Sequence, residues 1–423
     1  MKKFSQVFKS KELRNKILSV LGMLVIFRLI ASVPVPGIDV EKVKDFFASD
    51  QFLGMLNVFS GSGMSNFSIV MLGVGPYITA SIIMQLMTMV IPQVEKWYRE
   101  EGEAGRQKFN QITRMITVPI SFLQGFAMIS FLRGAQVIGD LSSFETFQII
   151  LTVTAGTIFL MWIGELITEK GIGNGISLLI FAGIVSGLPG VVNQLIVTWD
   201  ESKLLTYLGF LAATIAVIYA IIFVTEGQRN IPVSYARRVR GEKSMGGSNT
   251  YLPIRVNQAG VIPIIFAMSI MLFPQAVSKF LLGSDNETFR NIANGIISFL
   301  NNYFLYGIIY FALVVGFTFF YTKITFEPKN IAENLQKNGG YIPGIRPGEK
   351  TQIYLNNIVN RTTLAGALFL GLVAVLPFVM QGITGIQTLS IGGTSLLIVV
   401  SVVIETIKQI EGQLIMRSYE TLD

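Results

Sequence analysis

The chain has no cysteine and no histidine, and charge is scarce: only 14% of its 423 residues are Asp, Glu, Lys or Arg. Without cysteine there are no disulfides, thiolate metal sites or thiol nucleophiles. Without histidine the chain lacks the side chain most used for proton transfer near neutral pH and the commonest metal ligand. Carboxylate pairs or a Ser-Lys arrangement would be the remaining catalytic material, yet almost every charged residue lies outside the apolar stretches. Two runs end like a phosphate-binding loop, Gly348-Glu349-Lys350-Thr351 and Gly241-Glu242-Lys243-Ser244. Both carry Glu where that loop needs a glycine before lysine. These absences argue against an enzyme.

Soluble domains average about 25% charged residues, whereas here 51% of residues are hydrophobic and the mean hydropathy is +0.57. Ten apolar stretches fill most of the chain: 17–33, 69–91, 115–132, 147–167, 172–192, 204–224, 259–281, 303–321, 364–380 and 389–407. Most reach the roughly 20 residues with which a helix crosses a hydrocarbon core about 30 Å thick. Lipid cannot hydrogen-bond the backbone, so spanning segments are helices or a closed barrel. Continuous apolar runs without period-two alternation exclude the barrel. The expected fold class is all-α, a polytopic membrane protein with ten transmembrane helices.

Charge sets the orientation. Of the 33 Lys and Arg, 26 fall in 1–16, 92–114, at Lys170, in 226–258, in 322–361 and in the tail. Six (Lys42, Lys44, Arg133, Lys203, Lys279, Arg290) fall on the opposite side, and Arg28 lies within a span. The positive-inside rule then places both termini in the cytoplasm. Segment 1–16 reads as an amphipathic helix on the inner membrane face rather than as part of a signal peptide, because Arg28 interrupts the run that follows. Five spans precede the external loop 193–203 and five follow it. Two halves with an odd number of spans insert in opposite orientations, the geometry of an inverted repeat around a midplane pathway.

Segment 52–64 is apolar, too short to cross, and ends in Ser60-Gly61-Ser62-Gly63. It is either an external surface loop or a re-entrant half-helix seated in a cavity. The cytoplasmic loops 226–258 and 322–361, with net charges of +4 and +3, are far longer than a helical hairpin requires. Gly339-Gly340 and the run from Pro343 to Gly348 impose tight turns in the second. Both loops suit docking of a large cytoplasmic partner. A coupled-ion transporter needs ionisable groups at the midplane. Arg28 and Glu165 lie near span ends, where long side chains reach the interface. Glycines cluster in Gly171-Ile172-Gly173-Asn174-Gly175-Ile176-Ser177 and at Gly73 and Gly75 beside Pro76, where they serve either close helix packing or the wall of a pore. Near them stand the branched apolar residues Val74, Ile78, Ile176, Ile180, Ile265 and Ile398. Their spacing alone only puts Val74 with Ile78, and Ile176 with Ile180, on shared helix faces.

Four motifs are more specific. They are Phe159-Leu160-Met161-Trp162-Ile163-Gly164-Glu165 continuing into the glycine run, Ala259-Gly260-Val261-Ile262-Pro263, Pro343-Gly344-Ile345-Arg346-Pro347-Gly348-Glu349, and Gly392-Gly393-Thr394-Ser395-Leu396-Leu397-Ile398. Together they resemble the SecY family, the channel subunits of the bacterial Sec protein translocase, and the similarity runs end to end. The resemblance implies two pseudo-symmetric halves, 17–192 and 204–407, hinged at 193–203 around an hourglass channel, with 408–423 as a cytoplasmic tail. It implies a pore ring at Val74, Ile78, Ile176, Ile180, Ile265 and Ile398. It implies a re-entrant plug over 52–66, including Phe52, Gly54, Met55, Asn57, Phe59, Ser60, Gly61, Ser62 and Gly63. A lateral gate follows where spans two and three face seven and eight, with Ser81, Gln85, Gln124, Asn257 and Phe273 on its faces. Partner contacts fall on Arg237, Arg238, Arg240, Arg255, Arg346 and Lys350.

The implied partners are the SecE and SecG subunits, the SecA motor ATPase, the ribosome, signal sequences and nascent chains, and membrane lipid, with no cofactor or metal. The implied location is the bacterial plasma membrane. The rival readings are a secondary transporter of a small solute and a membrane insertase or scaffold without a pore. Bilayer conductance before and after deletion of 52–66 separates them from a plugged channel.

Overall fold

The computed structural model describes residues 10–420 apart from 37, 50–56, 58, 59, 62, 140, 198–203, 236, 237, 241, 242, 246–248, 283–285, 301 and 385–387. Each of the ten apolar stretches falls on a helix. The first half comprises α1 (Lys11–Ala31), α2 (Val40–Ser49), α3 (Gly75–Val90), α4 (Pro92–Arg99), α5 (Gly102–Gly134), α6 (Ser143–Glu169) and α7 (Gly175–Val197). The second begins with α8 (Leu204–Glu226), strands β1 (Gln228–Tyr235), β2 (Arg238–Arg240), β3 (Lys243–Met245) and β4 (Asn249–Arg255), and α9 (Ile262–Leu282). It continues through α10 (Glu287–Leu300), α11 (Tyr303–Thr325), α12 (Pro328–Lys337), β5 (Gly340–Tyr341), α13 (Glu349–Thr384) and α14 (Thr388–Glu420). By length and apolarity alone, five helices among the described residues qualify as membrane spans, or six with the bent α3–α4 pair. Outward faces are greasy: Leu18, Leu21, Val25 and Leu29 of α1 and Leu204, Leu208, Leu211 and Ile215 of α8 are exposed, as lipid-facing walls are.

Local chemistry sets several helix ends where hydropathy does not. Apolarity predicts a helix from residue 69, but 69–74 are turns and α3 starts at Gly75. Gly73 has φ +57, a region L side chains rarely adopt, and Pro76 occupies the first turn, where its missing N–H costs nothing. Pro92 opens α4 after a 109° bend. A capping box starts α6, with Ser142 N donating to Glu145 Oε2 at 2.8 Å and Glu145 N to Ser142 Oγ at 3.2 Å. Three helices extend well past their apolar stretches, α5 and α14 at 33 residues each and α13 at 36. Segment 92–114 is therefore α4 plus a polar extension of α5.

Each half packs sequentially: α3 on α5, α5 on α6 and α6 on α7, then α9 on α11, α11 on α13 and α13 on α14. The halves meet where α9 packs on α3 and α5, and where α14 packs on α7. One buried cluster straddles both, with Val20, Phe27, Leu160 and Ile184 from the first half and Ile264, Phe266, Tyr310 and Val402 from the second. In lipid, helix association depends on close van der Waals contact, which small residues permit. A Cβ on Gly175 would lie 1.7 Å from the Gly164 carbonyl oxygen, so α6 and α7 cross backbone to backbone.

The two long loops, 226–258 and 322–361, form one body. β1 pairs antiparallel with β4, from Gln228 opposite Arg255 to Ser234 opposite Asn249, and with β5 at Ser234 opposite Tyr341 and Tyr235 opposite Gly340. Beneath the sheet lie Ile231, Val233, Ile254, Ile342, Leu355, Ile358 and Val359, which draw β1, β4, the 342 turn and α13 into a common core.

Candidate channel and its seals

The six branched residues come from four helices and both halves. Val74 caps α3 and Ile78 sits in its first turn, Ile176 and Ile180 open α7, Ile265 opens α9, and Ile398 lies on α14. Five belong to a single buried cluster, at 5% exposure for Val74, 9% for Ile78, 1% for Ile180, 6% for Ile265 and 0% for Ile398. Ile176 packs against the same cluster. β-Branched side chains are stiff at χ1, so a waist built of these residues would keep its shape. It also offers water no hydrogen bond, and a narrow apolar constriction of this kind blocks ions by dewetting.

Beside this cluster the chain entering α3 is seated by polar contacts to its own half. Gly61 has φ +65, and a Cβ there would lie 2.9 Å from Phe27 Cζ and 3.1 Å from Gly183 Cα, so the turn is wedged between α1 and α7. Arg28 Nη1 donates to the Gly61 carbonyl at 2.7 Å. Ser60 Oγ donates to the Asn57 carbonyl at 3.0 Å and accepts from Met64 N at 3.0 Å, and Asn57 Oδ1 accepts from Ser65 N at 2.9 Å. Gly63 N donates to the Ser60 carbonyl at 3.2 Å. The segment then stitches to the end of α1, with Val35 N on the Phe67 carbonyl at 2.8 Å and Ile69 N on the Val33 carbonyl at 3.1 Å. Phe52, Gly54, Met55, Phe59 and Ser62 lie outside the described residues. Arg28 therefore does more than reach the interface, and Glu165 is also accounted for by Arg114 Nε at 2.6 Å.

On the candidate gate, Gln85 Nε2 donates to Ser81 Oγ at 3.1 Å within α3, and Gln124 Nε2 of α5 lies 3.5 Å from Thr79 Oγ1 of α3. Both contacts stay in the first half and stiffen one wall. On the facing side Asn257 is 4% exposed and its Nδ2 donates to the Gly260 carbonyl at 3.2 Å. Gln85 Oε1, Asn257 Oδ1 and Gln258 Oε1 are buried without a partner among the described residues. Phe273 lies on α9.

Away from the gate, the glycine run is gripped by the opposite half. Gln409 Oε1 of α14 accepts from Gly173 N, and Gln413 Nε2 donates to the Gly171 carbonyl at 2.6 Å. Gly171 and Gly173 take φ +74 and +95 in that turn. Nothing in the spacing of the glutamines announces this contact. On the body formed by the two long loops Arg255, Arg346 and Lys350 are exposed, and the Arg346 carbonyl accepts from Thr351 Oγ1 at 2.9 Å, which fixes the turn that displays it. Arg238 and Arg240 lie on β2, and Arg237 is outside the described residues.

Comparison with known proteins bears on the family and the fold. The SecY family model matches residues 68–407. The protein translocase subunit SecY of Halalkalibacterium halodurans is 45% identical over 98% of this chain and 98% of its own. A solved structure of a protein conducting channel superposes with a TM-score of 0.65 at 21% identity, covering 93% of this chain and 91% of the other. Sec61 in a canine ribosome-channel complex from the endoplasmic reticulum gives 0.60 at 19% identity, with the same two coverages. This chain belongs to the SecY family.

Proposed function

We propose that the chain is the protein-conducting channel of a bacterial Sec translocase, passing unfolded polypeptide across the plasma membrane and releasing apolar segments sideways into lipid. The convergence of six branched apolar residues from both halves on one buried cluster carries this reading. Aliphatic side chains form no specific hydrogen bonds, so a translocating chain of any sequence slides past while they close around it. The segment around Gly61 is the plug beneath the ring, and α3 and α5 against α9 and α11 are the gate. A segment of about 20 apolar residues leaves through that gate because each Leu or Ile contributes roughly 0.3–0.6 kcal/mol at the membrane centre. The chain performs no chemistry of its own, so energy comes from a partner.

The basic cytoplasmic body is where that partner docks, through Arg346, Arg255 and Lys350, with Arg237, Arg238 and Arg240 beside them. Arginine suits both ribosomal phosphate and an acidic groove on a motor ATPase such as SecA. The canine neighbour was solved in a ribosome-channel complex, which favours the ribosome as one occupant. SecE and SecG are expected as small accompanying subunits. A secondary transporter is disfavoured because two of the ionisable groups in the spans are structurally engaged, Arg28 on the plug segment and Glu165 on Arg114.

Because the chain is free of cysteine, a single Ile180→Cys or Ile265→Cys carries a unique photocrosslinker. A stalled secretory chain should form an adduct at either position, and no adduct at both would refute the channel.

A further inference from the structure

One charged contact joins the halves at the cytoplasmic end of the gate. Arg99, the last residue of α4, places Nε 3.2 Å from Glu327 Oε1, while its Nη1 lies 3.2 Å from Glu95 Oε1 one turn back. Glu327 is the N-cap residue of α12, directly after α11, and accepts from Asn330 Nδ2. The Arg99 and Glu327 side chains are only 32% and 25% exposed, so solvent screens the pair incompletely. Beneath Arg99, the neighbouring Tyr98 ring packs on Phe109 of α5 at 5.1 Å, which anchors the α4 tip to the α5 side of the gate. By contrast, Arg114–Glu165 and Lys408–Glu226 each stay within one half.

The geometry has a mechanical consequence. Helices α3 and α5, joined through α4, pack on α9, and α11 leads straight into Glu327. Separating α3 and α5 from α9 and α11 must therefore break the Arg99–Glu327 contact or drag one partner with the other. We propose that Arg99 and Glu327 form an electrostatic latch across the gate, which sets how apolar a segment must be before the gate opens for it. This rests on the gate assignment above. A pair of this exposure is worth about one or two leucines at the centre of a signal. It therefore decides marginal signals and leaves strong ones untouched.

The test uses the complete translocase in vesicles, with two secretory reporters, one bearing a strong signal and one with two signal leucines changed to alanine. Arg99→Gln and Glu327→Gln should each raise translocation of the weak-signal reporter by roughly two- to fivefold and leave the strong-signal reporter unchanged. The double variant should go no further than either single one, since one contact is lost in all three. Unchanged weak-signal translocation in both single variants would overturn the latch, as would a double effect equal to the product of the singles. Failure of the unmodified chain to export the strong-signal reporter would instead count against the channel reading. As a second measurement, Arg99→Cys/Glu327→Cys in this cysteine-free chain can be bridged by a bifunctional thiol reagent with a reducible spacer long enough to replace both side chains. The bridged form should stop lateral release of an apolar segment, and reductive cleavage of the spacer should restore it. Release at the unmodified rate while bridged would also overturn the proposal.

Discussion

The seat of the proposed plug offers the sharpest test, through Gly61→Ala. Its backbone sits at φ +65, and the new Cβ would lie 2.9 Å from Phe27 Cζ and 3.1 Å from Gly183 Cα. An L residue in the left-handed region costs roughly 1–2 kcal/mol. Overpacking against Phe27, only 3% exposed, and against the α7 backbone adds roughly 1–3 kcal/mol. Even the low end, about 2 kcal/mol, shifts the seated-to-unseated ratio of the plug about 30-fold. In planar bilayers without a translocating chain, resting channel openings should rise by about that factor. Gly22→Ala, where nothing lies within 4 Å of the added carbon, is the matched control and should stay silent. If Gly61→Ala seals as tightly as the unmodified chain, the turn at Gly61 is not what holds the plug, and the argument from its contacts fails.

The other predictions probe the waist, the fold and the platform. Ile180→Asp places a charge in a 1% exposed position of the ring and should make the channel leak salt in the same bilayer assay; a tight channel would remove the dewetting argument. Gly175→Ala should lower the melting temperature in detergent by several degrees, since its Cβ would overlap the Gly164 carbonyl; an unchanged melt would mean the helices separate freely there. Arg346→Glu should abolish co-sedimentation with ribosomes or with the motor ATPase and leave the melt unchanged, because the side chain is exposed; retained binding of both would move the docking site elsewhere.

Much of the fold was legible because membrane burial leaves a strong trace: all ten apolar stretches lie on helices. Hydropathy failed at both kinds of boundary. It overran at 69–74, where Gly73 and Pro76 dictate a turn followed by a helix start, and it fell short where α5, α13 and α14 continue as polar helices beyond their apolar stretches. The strands were also visible in principle. Ile231, Val233 and Ile254 are buried between more exposed neighbours in the period-two pattern of a half-covered sheet. Charge in those segments pointed to docking and masked that alternation. The ring residues could be nominated by motif, whereas their convergence needed the tertiary structure. Arg28 on Gly61, Gln413 on Gly171 and Arg99 on Glu327 join residues 33, 242 and 228 positions apart in the chain, and no local pattern announces such pairs.

The shared sheet has a consequence for how force enters the membrane. β1 follows α8 without a break, β4 runs into α9 through a few residues, and β5 leads to α13. A partner that tilts this three-stranded raft therefore cannot load a single helix. It levers α8, α9 and α13 together, so a push delivered on the sheet would be felt as a concerted rocking of one half, with the strand ladder acting as a crossbar.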